Sequence, residues 1–100
     1  MFNSGTIYSN FTPLVKAPVI GYRISGDDVL NILKKITKKN FSKDHSLIRI
    51  VKIYQKDGSI LDECSVVYFK SPKSFTGEDV CEIFLHGSPL IASQFEQLLK

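Results

Sequence analysis

Two cysteines, two histidines and scattered carboxylates are the side chains of this 100-residue sequence that could support covalent or metal chemistry. Cys64 and Cys81 stand 17 apart, which fits neither a CxxC redox pair nor a zinc ligand set, and His45 and His86 complete no cluster. The thiols therefore read as reduced and packed as small hydrophobes, and no metal site is expected. Cys81, His86 and Asp79 could be drawn as nucleophile, base and orienting acid. Strand alternation, however, sends Cys81 to an apolar face and His86 to the opposite one, so no triad is expected and His86 reads as a turn-capping residue bonded to nearby backbone. Gly21 and Gly26 are five apart, like the glycines of a phosphate-binding loop, but Asp27 and Asp28 follow where that loop needs Lys and Ser or Thr. Two carboxylates there repel a nucleotide. Hydrolysis of GTP or ATP through a P-loop is excluded for this chain, and no catalytic residue is assigned.

Charge offers a different chemistry. Residues 34–56 carry eight cations (Lys34, Lys35, Lys38, Lys39, Lys43, Arg49, Lys52, Lys56) against the single acid Asp44, whereas residues 57–100 carry three cations against seven acids. Clustered lysines release counterions on meeting a polyanion, so an RNA- or phosphate-facing patch is one reading. The other is a solvated helix end with cations near its C-terminal dipole. No aromatic alternates with the lysines, so a stacking platform for single-stranded bases is not expected.

The elements that position these residues follow from periodicity. At 43% hydrophobic residues, with four Pro and six Gly, the chain has the composition of one small domain. Its longest apolar runs are far below the ~18 residues of a membrane span, and its first ten residues lack a secretory pattern, so a cytoplasmic protein without membrane contact is expected. Strands are expected at 6–11, 19–25, 47–55, 62–70 and 79–85. Asp57-Gly58 marks a hairpin between the third and fourth. Segments 13–18 and 71–77 read as connections. A helix with Val29, Ile32, Leu33 and Ile36 at i, i+3, i+4, i+7 spacing should be capped by Ser25–Asp28 and end in the lysines before Asn40. A second begins with Ser88 as N-cap and Pro89 at its first position, burying Ile91, Phe95, Leu98 and Leu99. The fold class is α+β: a mixed or antiparallel sheet with two helices.

Ser74 to Ser88, SFTGEDVCEIFLHGS, resembles nearly residue for residue the SFTGED..E...HG signature of the N-terminal domain of the tRNA modification GTPase family known as MnmE or TrmE. Gly21 to Gly26 is similar to that family's G..R.SG element, and Thr6-Ile7 with Thr12-Pro13 to its opening strand. The resemblance covers most of the chain. It implies a folate-binding, dimerising domain related in fold to the tetrahydrofolate domain of glycine-cleavage aminomethyltransferase. In the family this domain precedes a GTPase and works with the flavoprotein MnmG on the wobble uridine of certain tRNAs (carboxymethylaminomethyl modification). The ligand so implied is 5-formyltetrahydrofolate or a related reduced folate. Its contacts map onto Arg23 and Glu82, a carboxylate suiting the paired N–H donors of a pterin edge and a guanidinium suiting a carbonyl or anionic tail; Gly21, on the face of Arg23, leaves space for a flat ring. The alternative is that Arg23 and Glu82 simply pair with each other or with solvent.

Departures from the family pattern set further expectations. Leu14–Pro18 holds no glycine where the family has a glycine-rich loop, and HGG is here His86-Gly87-Ser88. The helix reaching Lys100 has no closing Gly or Asn, which reads as a truncation, residues 1–100 forming one folate-binding and dimerisation domain incomplete at its C-terminal end. The GTP, potassium and magnesium sites of the family are then absent from this chain, and no catalysis is expected from it alone. The alternatives are a small basic RNA-contacting domain using Lys34 to Lys56, and a structural dimerisation remnant that binds no folate.

Overall fold

Runs of β-branched and aromatic residues with period-two burial make strands wherever the sequence shows them. The computed structural model describes residues 5–11, 19–41, 48–70 and 78–100. In chain order these form β1 (Ile7–Asn10), β2 (Val19–Ser25), α1 (Val29–Thr37), β3 (Ile48–Tyr54), β4 (Ile60–Phe69), β5 (Val80–His86) and α2 (Pro89–Leu99). The expected α+β order is observed, and every strand pair in the five-stranded sheet is antiparallel, in the order β1-β2-β5-β4-β3. The expected connections at 13–18 and 71–77, including the glycine-free stretch 14–18, lie outside the described residues, as do His45, Lys43 and Ser74 to Gly77.

Both helices contribute to one core. Ile20, Tyr22 and Ile24 of β2, Val51 and Ile53 of β3, and Cys81, Ile83 and Leu85 of β5 share it with Ile32, Leu33 and Ile36 of α1 and Phe95, Leu98 and Leu99 of α2. Alternation sends the intervening residues to the opposite face, and none of the described elements covers that face. Register fixes its rows: Arg23 lies beside Glu82 and Glu82 beside Val67, while Gly21, Phe84 and Ser65 form the next row.

Local chemistry refines several boundaries. The Asp57-Gly58 hairpin has a loop wider than two residues: the Gln55 N–H donates to the Ser59 carbonyl (2.7 Å) and the Gly58 N–H to the Gln55 carbonyl (2.9 Å), with Gly58 at φ +88°. Asp57 Oδ1 accepts from both the N–H and the hydroxyl of Ser59, which holds its carboxyl below the usual carboxylate range. A register shift between Ile53 and Tyr54 accompanies this loop, and β4 starts at Ile60, two residues before the expected position. The start of α1 also differs from expectation. Asp28 is its N-cap but makes no side-chain cap, because its Oδ1 accepts from Asn31 Nδ2 instead (3.0 Å). Its own N–H donates to Thr6 Oγ1 (3.1 Å), so the turn is held from β1. Gly26, at φ +143°, permits this approach: a Cβ there would lie 2.5 Å from Thr6 Cα. The lysines do end α1, with Lys38 left-handed at φ 59° and its N–H on the Lys34 carbonyl. At α2, the Ser88 hydroxyl accepts from the Ile91 N–H (3.4 Å) ahead of Pro89, as the sequence requires.

Candidate functional site

The uncovered face of the sheet presents its polar centre on the two middle strands. Arg23 of β2 and Glu82 of β5 are cross-strand partners. Arg23 donates through Nη2 (2.7 Å) and Nε (3.1 Å) to the same oxygen, Glu82 Oε2. The side chains are 30% and 16% exposed, so the pair is partly shielded yet reachable. Sequence reasoning placed both groups on one face, and the structure brings them into contact. The Nε and Nη2 bonds both go to Oε2 of Glu82, and neither goes to its Oε1.

Aromatic rings frame this pair. The space above Gly21, expected to admit a flat ring, holds the ring of Phe11: a Cβ on Gly21 would meet Phe11 Cζ at 2.4 Å. Phe11 meets Phe84 edge-on, with centroids 5.8 Å apart and planes at 84°, and the Arg23 guanidinium carbon sits 4.9 Å from its centroid. Beyond Phe84 a half-open recess of about 330 Å³ is lined by Val19, Ile50, Glu63, Ser65, Phe84 and His86, among others. That volume lies at the lower end of small-molecule sites. Neither Arg23 nor Glu82 lines this recess, which adjoins their pair across Phe84.

His86 closes the far end in a way the sequence did not announce. Rather than capping its turn, its ring pairs with Asp62 of β4, Nδ1 to Oδ1 at 2.8 Å, while its N–H donates to Asp62 Oδ2 (2.9 Å). The Glu63 N–H adds a third bond to Oδ1 (2.8 Å). The Asp62 side chain is 9% exposed and that of His86 71%, so a shielded carboxylate orients an imidazole whose other nitrogen faces outward. The partners are 24 residues apart, and only strand register brings them together.

The remaining chemistry-bearing groups are structural. Cys64 and Cys81 are free, buried and on different rungs of the sheet. Burial pushes the Cys64 thiol up to about 12, with Asp62 and Glu63 adding to it, and burial raises Cys81 further still. Neither is a thiolate nucleophile at neutral pH. Cys81 sits in the core and His86 at the exposed end of the same strand, so they form no triad with Asp79. Among the described residues no group of three or more His, Cys, Asp or Glu could hold a metal ion. Tyr22, fully buried, donates its hydroxyl to Glu96 of α2 in a short hydrogen bond, and its phenol is raised by burial and then by that carboxylate. Tyr68 is buried, and burial, then the nearby Asp79 carboxylate, push its phenol up to about 12.

Fold and site together define a small α+β domain whose two helices cover one side of an antiparallel sheet and whose other side carries a paired Arg and Glu between aromatic rings. The family described as "GTP-binding protein TrmE N-terminus" matches residues 6–100. A protein of Helicobacter pylori (strain HPAG1) named tRNA modification GTPase MnmE is 47% identical over 93 residues, 92% of this chain and 20% of that protein. Proteins of the same name from Aliarcobacter butzleri (strain RM4018) and Rickettsia canadensis (strain McKiel) are 42% identical over 93 residues and 40% over 87. These alignments cover 93% and 87% of this chain, and 21% and 20% of those proteins. The chain thus belongs to the TrmE N-terminal family. It spans about a fifth of the length of the curated relatives it matches. No helix among the described residues is long and apolar enough to cross a membrane.

Proposed function

We propose that the chain serves as the folate-binding and dimerising N-terminal domain of a tRNA modification GTPase that acts on the wobble uridine. The observation that carries this reading is the meeting of Arg23 and Glu82 on the uncovered sheet face, flanked by Phe11, Phe84 and a recess. A reduced folate such as 5-formyltetrahydrofolate presents parallel N–H donors on its pterin edge, from which a carboxylate accepts, and an anionic tail, to which a guanidinium donates. Glu82 holds the edge, Arg23 takes a carbonyl or carboxylate, and the aromatic rings cover the faces of the bicycle.

Dimerisation draws on the same face and its margins. Ile48, Ile50, Val19 and Phe11 are exposed there, and among the described residues β1 and β3 are the outermost strands of the sheet. The GTPase activity, its potassium and magnesium, and the flavoprotein partner MnmG belong to the remainder of such a protein, working in the cytoplasm. Calorimetry with 5-formyltetrahydrofolate tests the ligand: Glu82→Gln should weaken binding by roughly 1–3 kcal/mol, and equal affinities for wild type and variant would remove Glu82 from the site.

A further inference from the structure

The end of α1 and the β3–β4 hairpin form a cationic surface that folate binding does not use. Lys34, Lys35, Lys38 and Lys39 are exposed at the C-terminal end of α1, and Lys56 is exposed in the hairpin loop. α1 packs on β3, and side chains at its end reach that strand; Lys52 of β3 lies on the other side of the sheet, opposite Glu63, and is not part of this ridge. Lys38 Nζ sits 4.4 Å from the centroid of Tyr54, at the end of β3. Arg49 of β3 donates to the Asn40 carbonyl (2.9 Å), just past α1, with its guanidinium carbon 4.4 Å from the centroid of Phe41. No aromatic alternates with these lysines in sequence, yet the fold lays Phe41 and Tyr54 beneath two of the cations.

Ordinary stabilisation does not account for the ridge. The helix dipole accounts for Lys34 and Lys35 in the last turn of α1, but not for Lys39, Lys56 and Arg49 beyond it. Among the described residues none of these six cations is in an ion pair, and the carboxylate of Asp57 is engaged by Ser59. An unneutralised ridge of this kind gains most from a polyanion, whose counterions it releases. A membrane surface is disfavoured because the apolar side of α1 is wholly buried in the core, leaving nothing to insert into lipid. A protein partner is disfavoured because lysine is depleted in protein interfaces. We propose that this ridge binds the phosphate backbone of RNA, the choice of RNA among polyanions resting on the tRNA reading above.

Fluorescence anisotropy of the chain with labelled bulk tRNA tests this. Affinity should fall about 100-fold between 50 and 200 mM KCl, as for roughly four phosphate contacts. Lys34→Gln/Lys35→Gln/Lys39→Gln/Lys56→Gln should lose most of that binding and flatten the salt dependence. Lys70→Gln/Lys100→Gln, with two charges removed elsewhere, should stay within about twofold of wild type. No binding at 50 mM, a salt-independent affinity, or equal losses in the two variants overturns the proposal. So does equal binding to vesicles of 30% phosphatidylserine in phosphatidylcholine, or to polyglutamate. Circular dichroism must show the quadruple variant folded, and its calorimetric affinity for 5-formyltetrahydrofolate should match wild type, so that loss of folate binding and loss of RNA binding are separate results.

Discussion

Gly21 and Phe11 offer a test in which the sign of one substitution depends on the other. In Gly21→Ala the new Cβ would lie 2.4 and 2.7 Å from two carbons of the Phe11 ring, and the three nearest atoms all belong to that ring. The backbone at Gly21 is regular strand, so without the ring alanine should stabilise by about 0.5–1 kcal/mol through lost unfolded-state freedom. With the ring present, Phe11 must swing away, forfeiting its edge contact to Phe84 and its place under Arg23, together about 1–2 kcal/mol. Gly21→Ala alone should therefore destabilise by about 0.5–1 kcal/mol, whereas added to Phe11→Ala it should stabilise by a similar amount. Urea denaturation followed by circular dichroism resolves this, since 1 kcal/mol moves the midpoint by roughly 0.3–1 M. A Gly21→Ala loss of the same size in both backgrounds would show that Phe11 is not what the glycine accommodates.

Alkaline pH and the turn before α1 give two more. Cys64 and Tyr68 are raised to about 12 in the fold from ordinary values of 9.0 and 10.0, so the folded state holds their protons more tightly than the unfolded chain. Their contribution is complete below about pH 9 and is lost as pH rises toward 12; at pH 11 Cys64 alone should cost about 2–3 kcal/mol. Urea midpoints that stay level from pH 8 to 11 would contradict this. At Gly26, φ +143° and the approach of Thr6 Cα leave no room for a side chain, so Gly26→Ala should destabilise by about 2–4 kcal/mol in the same denaturation assay. A change below about 0.5 kcal/mol would mean that β1 and the turn are not in contact in solution.

Faces were legible in the sequence and distances were not. Alternation in β5 assigns Cys81, Ile83 and Leu85 inward and Glu82 outward, and the same period in β2 puts Arg23 outward; burial bears both out. Whether two outward residues meet depends on register, which period alone leaves free. Thus the antiparallel β2–β5 ladder makes Arg23 and Glu82 neighbours, and the β4–β5 ladder delivers Asp62 to His86. Neither pairing has a local signature. The wider hairpin loop, with its register shift, likewise moved the start of β4 by two residues. Asp28 is the N-cap that the sequence offers, but its carboxylate accepts from Asn31 Nδ2 and not from a first-turn N–H, a choice between two local partners that composition does not settle. Phe11 above Gly21 has no sequence signal, since a glycine marks available space without saying what fills it.

The pairing of Arg23 with Glu82 shapes how the proposed ligand can gain affinity. In the free domain each group already has a charge-assisted partner, so a folate that replaced the pair outright would exchange bonds of similar strength and gain little. Arg23 Nε and Nη2, however, both donate to Oε2. A ligand N–H can therefore add to Oε1 while the pair stays intact, and the retained guanidinium keeps Glu82 oriented for it. Glu82→Gln then weakens the ligand through the acceptor charge, whereas Arg23→Lys, which keeps the charge but loses the fork, weakens it through misorientation of Glu82. The remaining affinity has to come from ring faces against Phe84, Phe11 and the recess, where apolar area leaves water at about 25 cal/mol per Å².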